Sequence, residues 1–325
     1  MKNGTKKILI LRLGAIGDVV HTTIIPSAIK SAHPDWEIHY LTQSENIPLL
    51  GNNRNIDKII EWDRSKRKSF KYLISTGVKL FREHYDIIFN LTNAIRNIFL
   101  SVFACPKKIV LRKHTDKSWV EDYFYTAQSV IKDITLPVRL ELEVNKELDS
   151  QITQTLSAYP TPHIIIIPGG KTDSHRQGRT WNLENWIELS KRLTEKYGGT
   201  VFVCGGKGEL KHHKPLEEIA VLLTGEYNLA GSSALLSHAD LVISGDTGPL
   251  HIASAHNVKT LALLGSTSPD KIKPYGENGY YISADTDCKY CWKKKCKYTQ
   301  KGSTPCMDKI SVDMVLDKIT KENLL

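Results

Sequence analysis

No apolar run in this sequence comes near the roughly 18 to 20 residues that cross a bilayer, the strongest being "HIIIIP" and "LALLG". A membrane-spanning chain is therefore not expected. Low-complexity and proline-rich tracts are also missing, which excludes a long disordered arm. The first stretch, "MKNGTKKILILRLGAIGD", has lysines ahead of apolar residues, but Arg12 breaks the run and no small-residue cleavage site follows. It reads as a first strand, not as a signal peptide. The dinucleotide fingerprint is absent too: "LRLGAIGD" has two glycines where three in fixed spacing are needed, and "WEIHYLTQSE" ends its strand on Thr42, Gln43 and Ser44 instead of an acid. That argues against a nicotinamide-dependent oxidoreductase.

What is present fits two globular domains. The 325 residues exceed one ordinary core, and 41% hydrophobic with 24% charged residues is the balance of a folded chain. A net charge of +9 implies an anionic partner, whether nucleic acid, a membrane surface or a phosphorylated substrate. Short β-branched runs alternate with amphipathic stretches in both halves, the pattern of βα units on a parallel sheet. The expected class is α/β, two doubly wound Rossmann-like domains, 1–155 and 156–325, joined through a helix and a proline-containing connector. Among the predicted elements are one helix over 18–32, a helix over 211–223 and a strand over 226–229. Ligands of such sheets sit at the carboxyl ends of the strands, so functional residues are sought in the loops there and in a cleft between the domains.

Four such loops carry chemistry. In the first, Gly14 and Gly17 permit a tight, ligand-facing turn, and Asp18 opens the next helix. A carboxylate there repels phosphate, so Asp18 is either a general base for a hydroxyl or a helix cap; His21 is a second cleft residue or a buried imidazole. In the second, "DLVISGDTGPLHIASA", a strand turns through Asp246, Thr247 and Gly248 into a helix with Pro249 in its first turn. Its amides, Thr247 and His251 suit a phosphate, unless Asp246 and Thr247 are merely turn and cap residues. The third, "IIIIPGGKTDSHRQGRTW", offers Gly170, Lys171 and Arg179 as anion donors. The fourth, "VFVCGGKGEL", ends on Glu209, which is placed to bind ribose hydroxyls or is a surface charge.

The set "LRLGAIGD", "PGG…RTW" and "SGDTGPLHIASA" followed by "LLGSTSP" resembles glycosyltransferase family 9, the heptosyltransferases of lipopolysaccharide core assembly, over nearly the whole chain. The resemblance implies a GT-B architecture, with the acceptor held by the N-terminal domain and the nucleotide sugar by the C-terminal one. It implies inverting, metal-independent transfer from ADP-heptose with no cofactor, Asp18 as the base, Glu209 as the ribose-binding acid, and Asp246, Thr247, Gly248 and His251 as the donor loop. Where relatives carry a lysine, this chain has Arg179 in a longer loop.

Two basic stretches remain. "DRSKRKSFKY" places Arg64, Lys66 and Arg67 after a strand of the first domain, suited to an anionic, lipid-linked saccharide acceptor at the inner face of a bacterial inner membrane, or to plain solvation. The protein is then expected to be cytoplasmic and peripheral, with no nucleic-acid partner. The loop 288–306 holds Cys288, Cys291, Cys296 and Cys306 among lysines; its leading pair has zinc-ligand spacing, and structural zinc, reduced thiols and a disulfide are the three readings. Cys105 and Cys204 lie in apolar contexts and read as core residues.

Overall fold

The structure, a computed structural model, describes residues 5–92, 94–169, 177–293, 295–299 and 304–325. The chain forms two units, Met1–Glu143 and Val144–Leu325.

The first unit is built on β1 (Lys7–Leu11), β2 (Glu37–Gln43), β3 (Lys58–Trp62), β4 (Ile87–Asn90) and β5 (Lys108–Leu111). They lie in the order β3-β2-β1-β4-β5, and every neighbouring pair is parallel. From Ile8 to Leu11 no side chain of β1 reaches solvent. A central parallel strand is covered on both faces, which is why "ILIL" has no polar alternation. Leu9, Leu11, Leu41, Trp62, Leu80 and Leu100 share one core cluster.

The second unit repeats the scheme with β6 (His163–Ile167), β7 (Thr200–Val203), β8 (Val221–Leu222), β9 (Leu241–Gly245), β10 (Thr260–Leu264) and β11 (Gly279–Ser283). Its order is β11-β10-β9-β6-β7-β8, again all parallel. Ile164, Ile166, Ile243 and Leu263 form a core with Trp181, Trp186 and the C-terminal residues Val315 and Ile319. In each sheet the strand order reverses beside the first strand, between β1 and β4 and between β6 and β9. These switch points open a crevice at the carboxyl ends, where ligands of such sheets bind.

Five expectations need correction, the simplest being Cys105, which is exposed at the end of its helix and not in the core. The unit boundary falls at 143/144, not 155/156, because helix Lys146–Leu156 packs on helix Leu229–Ser237 of the second unit, with Asp149 Oδ1 2.7 Å from His238 Nε2. The single helix over 18–32 is two, Ile16–Thr22 and Ile24–Ala32. Pro26 has no N–H for the Thr22 carbonyl, and the Thr22 and Thr23 hydroxyls turn back to Val19 and Val20 carbonyls instead. The helix over 211–223 shrinks to Leu210–His213 and a 3-10 turn at Lys214–Leu216, since Pro215 cannot continue it. The strand placed at 226–229 is β8 at Val221–Leu222; Asn228 instead caps the next helix, accepting from the Gly231 N–H at 2.9 Å. The edge strand β11 was not foreseen.

Candidate functional site

At the switch point of the first sheet, Arg12 follows β1 directly and is 8% exposed. Its Nη1 donates to the Leu91 carbonyl at 2.7 Å and to Thr92 Oγ1 at 3.2 Å, so it ties the loop after β1 to the loop after β4. Its Nη2 pairs with Asp18 Oδ2. Asp18 sits in the first turn of helix Ile16–Thr22, but no side-chain hydrogen bond caps that helix. The carboxylate is held by tertiary partners: besides Arg12, the Tyr123 hydroxyl donates to Oδ1 at 3.0 Å.

Tyr123 comes from helix Trp119–Gln128 and is fully buried. Burial, reinforced by the Asp18 charge, pushes its phenol well above the ordinary range, so it remains a donor. The Arg112 guanidinium lies 4.3 Å from the Tyr123 ring, donates to its oxygen at 3.0 Å and reaches the buried Asp122 at 3.3 Å. Gly14 lines the same loop, where a Cβ would come within 3.2 Å of Gln43 Oε1; Gly17 and Asp18 share the first helical turn and His21 is buried on the same helix.

Arg64 and Lys66 form a 3-10 turn after β3, on the edge of the sheet and two strands from β1. Asp63 accepts from the Ser65 hydroxyl at 2.5 Å, pairs with Lys66 at 3.0 Å and accepts from the Ser65 N–H at 2.8 Å; these contacts, the hydroxyl first, hold its carboxyl down at about 2. Arg64 and Arg67 are exposed and, among the described residues, have no ion-pair partner. With Glu45, Ser65 and Lys68 they line a shallow depression.

In the second unit the loop after β9 brings Asp246 against Arg179, Nη1 to Oδ2 at 3.0 Å, and near His251, Nε2 to Oδ1 at 3.8 Å. Burial would raise the Asp246 pKa, but the His251 hydrogen bond and the Arg179 charge outweigh it and hold the carboxyl below its usual value. Thr247 occupies the cap position of helix Gly248–Ala255 in extended backbone, yet its hydroxyl bonds Ser244 Oγ at 2.9 Å and does not cap. The first amides of this helix thus keep their donors for an anion.

Three glycines that the sequence reading had not singled out as site residues press the Arg179 segment onto the sheet. A Cβ on Gly245 would stand 2.4 Å from the Arg179 carbonyl, one on Gly178 2.5 Å from Ser266 Cβ, and one on Gly265 2.6 Å from the Gly178 carbonyl. Ser266 N–H donates to that Gly178 carbonyl at 2.9 Å. Their signal was present in "RQGRTW" and "LLGSTSP", but only the folded chain shows which backbones meet. Gly170 and Lys171 lie outside the described residues.

Glu209 turns its carboxylate back on its own loop, Oε2 accepting from the Gly206 N–H at 2.8 Å. Beside it, the buried His213 was missed. Its Nε2 meets the Gly169 carbonyl at 2.9 Å and its Nδ1 meets Thr224 Oγ1 at 2.8 Å, joining the loops after β6 and β8; burial lowers its pKa and keeps it neutral. Cys306 is buried under Gly265, and its thiol is pushed up by burial and by the nearby Cys288 and Cys296. No disulfide links the six cysteines, and no group of three or more metal-ligating side chains is assembled among the described residues, Cys288 and Cys291 included. The Cys/Lys loop is nonetheless joined to the site: Trp292 N–H donates to the Ser266 carbonyl at 2.9 Å.

The first unit therefore presents a carboxylate gripped by two donors, able to receive a proton. The second presents a guanidinium and an uncapped helix start, able to hold phosphate.

Comparison with known proteins gives the family. The pattern of glycosyltransferase family 9 (heptosyltransferase) matches residues 74–301. A curated relative, the lipopolysaccharide core heptosyltransferase OpsX of Haemophilus influenzae, is 24% identical over 302 residues, covering 86% of this chain and 84% of that protein. The solved glycosyl transferase family 9 structure from Veillonella parvula has a TM-score of 0.84 at 20% identity, over 100% of this chain and 98% of that one. E. coli heptosyltransferase WaaC with ADP has a TM-score of 0.74 at 17% identity, over 97% and 99% of the two chains. WaaC has also been solved with ADP-2-deoxy-2-fluoro heptose.

Proposed function

The chain belongs to glycosyltransferase family 9 and has the GT-B fold, and from that membership we propose that it moves a heptose from ADP-heptose to the inner core of lipopolysaccharide. The acceptor is 3-deoxy-octulosonic acid on lipid A or a first heptose, and transfer takes place at the inner face of the bacterial inner membrane. The observation that carries the reading is the pairing of Asp18 with Arg12 and Tyr123 at one switch point, together with Arg179 and the uncapped Gly248–Ala255 helix at the other.

In the proposed step the acceptor hydroxyl gives its proton to Asp18 as its oxygen forms a bond to the anomeric carbon. The bond from that carbon to the diphosphate oxygen breaks, and ADP leaves with the electron pair. A single displacement from the face opposite the leaving group inverts the centre. Arg179 has donors beyond the one on Asp246, and these, with the Gly248 amide and the His251 imidazole, are suited to the charge growing on the departing diphosphate. Lys171 is assigned the same role by motif. Asp246 is assigned an indirect one, holding Arg179 and His251 in place. Glu209 is assigned to the ribose through the loop it braces. Arg64, Lys66 and Arg67 are assigned to anionic groups of the acceptor.

The reading needs no metal in the transfer step, since cationic and amide donors supply the counter-charge. For the cysteines we propose reduced thiols, the alternative being structural zinc on Cys288, Cys291, Cys296 and Cys306. The test is turnover of ADP-heptose on defined truncated core acceptors by the wild type and by Asp18→Asn. The variant is expected to lose about 10² to 10⁴ in kcat, the usual range for a general base. Full activity in Asp18→Asn would remove that residue from the base role.

A further inference from the structure

Helix Ile95–Phe103 is amphipathic in an unusual sense: Asn97, Leu100 and Ser101 face the protein, while Ile95, Ile98 and Val102 are exposed, Ile95 at 86% and Val102 at 61%. Their spacing of three and then four residues puts them on one face of the helix. Helix Phe70–Phe81 lies alongside, in such close contact that a Cβ on Gly77 would stand 2.7 Å from the Phe103 ring; its first residue, Phe70, is 67% exposed. The amino ends of both helices meet around Trp62, whose ring lies 5.6 Å from the Arg96 guanidinium and 5.0 Å from the Tyr72 ring. The apolar ridge therefore runs into the exposed cations Arg64, Arg67, Lys68 and Lys71, which outnumber the two carboxylates beside them, Asp63, engaged by Lys66, and Glu45, which lines the depression with Arg64, Arg67 and Lys68.

We infer that this face of the first unit docks on an anionic bilayer, with Phe70, Ile95, Ile98 and Val102 entering the acyl boundary and the cations meeting headgroup phosphates. Charge decides the occupant. A second copy of the chain would bring the same positive loop against this one and be repelled. Nucleic acid would pair with the cations but has no use for aliphatic side chains, which do not stack on bases. A bilayer surface offers anions outside and hydrocarbon a few ångströms deeper, the layering found here. The inference deepens the proposed reaction of a lipid-linked acceptor, by naming the surface that brings the enzyme to it, but it is tested without donor or acceptor.

The experiment is co-sedimentation of the full chain with vesicles of phosphatidylethanolamine containing about 30 mol% phosphatidylglycerol, against vesicles of phosphatidylcholine alone. Binding is expected only to the anionic vesicles, and about 0.5 M salt should release most of it. The Ile95→Ser/Val102→Ser variant is expected to partition about tenfold more weakly. It should keep wild-type turnover on a water-soluble, delipidated acceptor, which also shows that it folds. Equal binding to both vesicle types, no binding to either, or undiminished binding by the variant would overturn the inference. So would sedimentation showing a dimer that this variant dissociates. Vesicle binding by a chain that fails to turn over ADP-heptose would uphold this surface while removing the proposed reaction.

Discussion

The Arg12 guanidinium bridges the Asp18 carboxylate and the Leu91 carbonyl, so one side chain sets the geometry of two strand-end loops. Both members of the ion pair are mostly buried, at 10% and 19% side-chain exposure. Removing one partner of such a pair strands the other. Arg12→Met is therefore expected to cost about 3 kcal/mol of stability, read as a lower urea midpoint. Turnover should fall as well, because the carboxylate keeps only Tyr123; wild-type stability together with wild-type kcat would show that the clamp is idle.

Gly245→Ala tests the proposed grip on the leaving group. A Cβ there would sit 2.4 Å from the Arg179 carbonyl, a backbone atom that cannot yield without moving the segment. ADP affinity by titration calorimetry is expected to fall about tenfold or more, with overpacking costing about 1 to 3 kcal/mol of stability. Unchanged ADP binding would mean that Arg179 does not touch the nucleotide.

His256, at the carboxyl end of helix Gly248–Ala255, has its pKa lowered to about 4 by burial and then by the nearby His238. Between its unfolded value near 6.5 and about 4, the unfolded chain binds a proton that the folded one does not. The folded state is thus fully favoured above 6.5 and loses ground as pH falls through that window. His256→Gln, which can keep the contact to Ser233, should remove about 2 kcal/mol of that slope in urea titrations at pH 7 and 4.5. Parallel pH curves for the two proteins would contradict the burial.

Glu83 shows the opposite partner chemistry. Lys58 and Lys7 bond its carboxylate and hold it at about 2, against an ordinary 4.5. This stability is present above 4.5 and lost as pH falls toward 2. Solvent screens the pair, so Glu83→Gln is expected to cost only about 1 kcal/mol at pH 7, and nothing near pH 2. A cost that persists at pH 2 would trace to packing instead.

Legibility in the sequence followed the range of the interactions. β1, β6 and β9 were plain because buried parallel strands are continuous apolar runs, and the loops after them could be searched for chemistry. Asp18, Asp246 and His251 are candidates reached that way. The residues that complete the site are far off in the chain: Tyr123 is 105 residues from Asp18, and no local pattern announces such a partner. Arg12 did leave a trace, a charge interrupting "ILILRLG", but it was read only as an argument against a leader segment. β8 was misplaced because a two-residue strand has no measurable period, and Pro215 hid the end of the helix before it. β11 escaped because edge position leaves Tyr281 partly exposed and blurs the apolar signal.

Ser266 lends its N–H to Gly178 and its C=O to Trp292. A single peptide neighbourhood is thereby stitched on one side to the arginine that faces Asp246 and on the other to the lysine-rich, thiol-bearing loop near the chain's end. Under the proposed function, alkylating Cys291 is therefore expected to weaken ADP binding in titration calorimetry although its thiol need not touch the nucleotide.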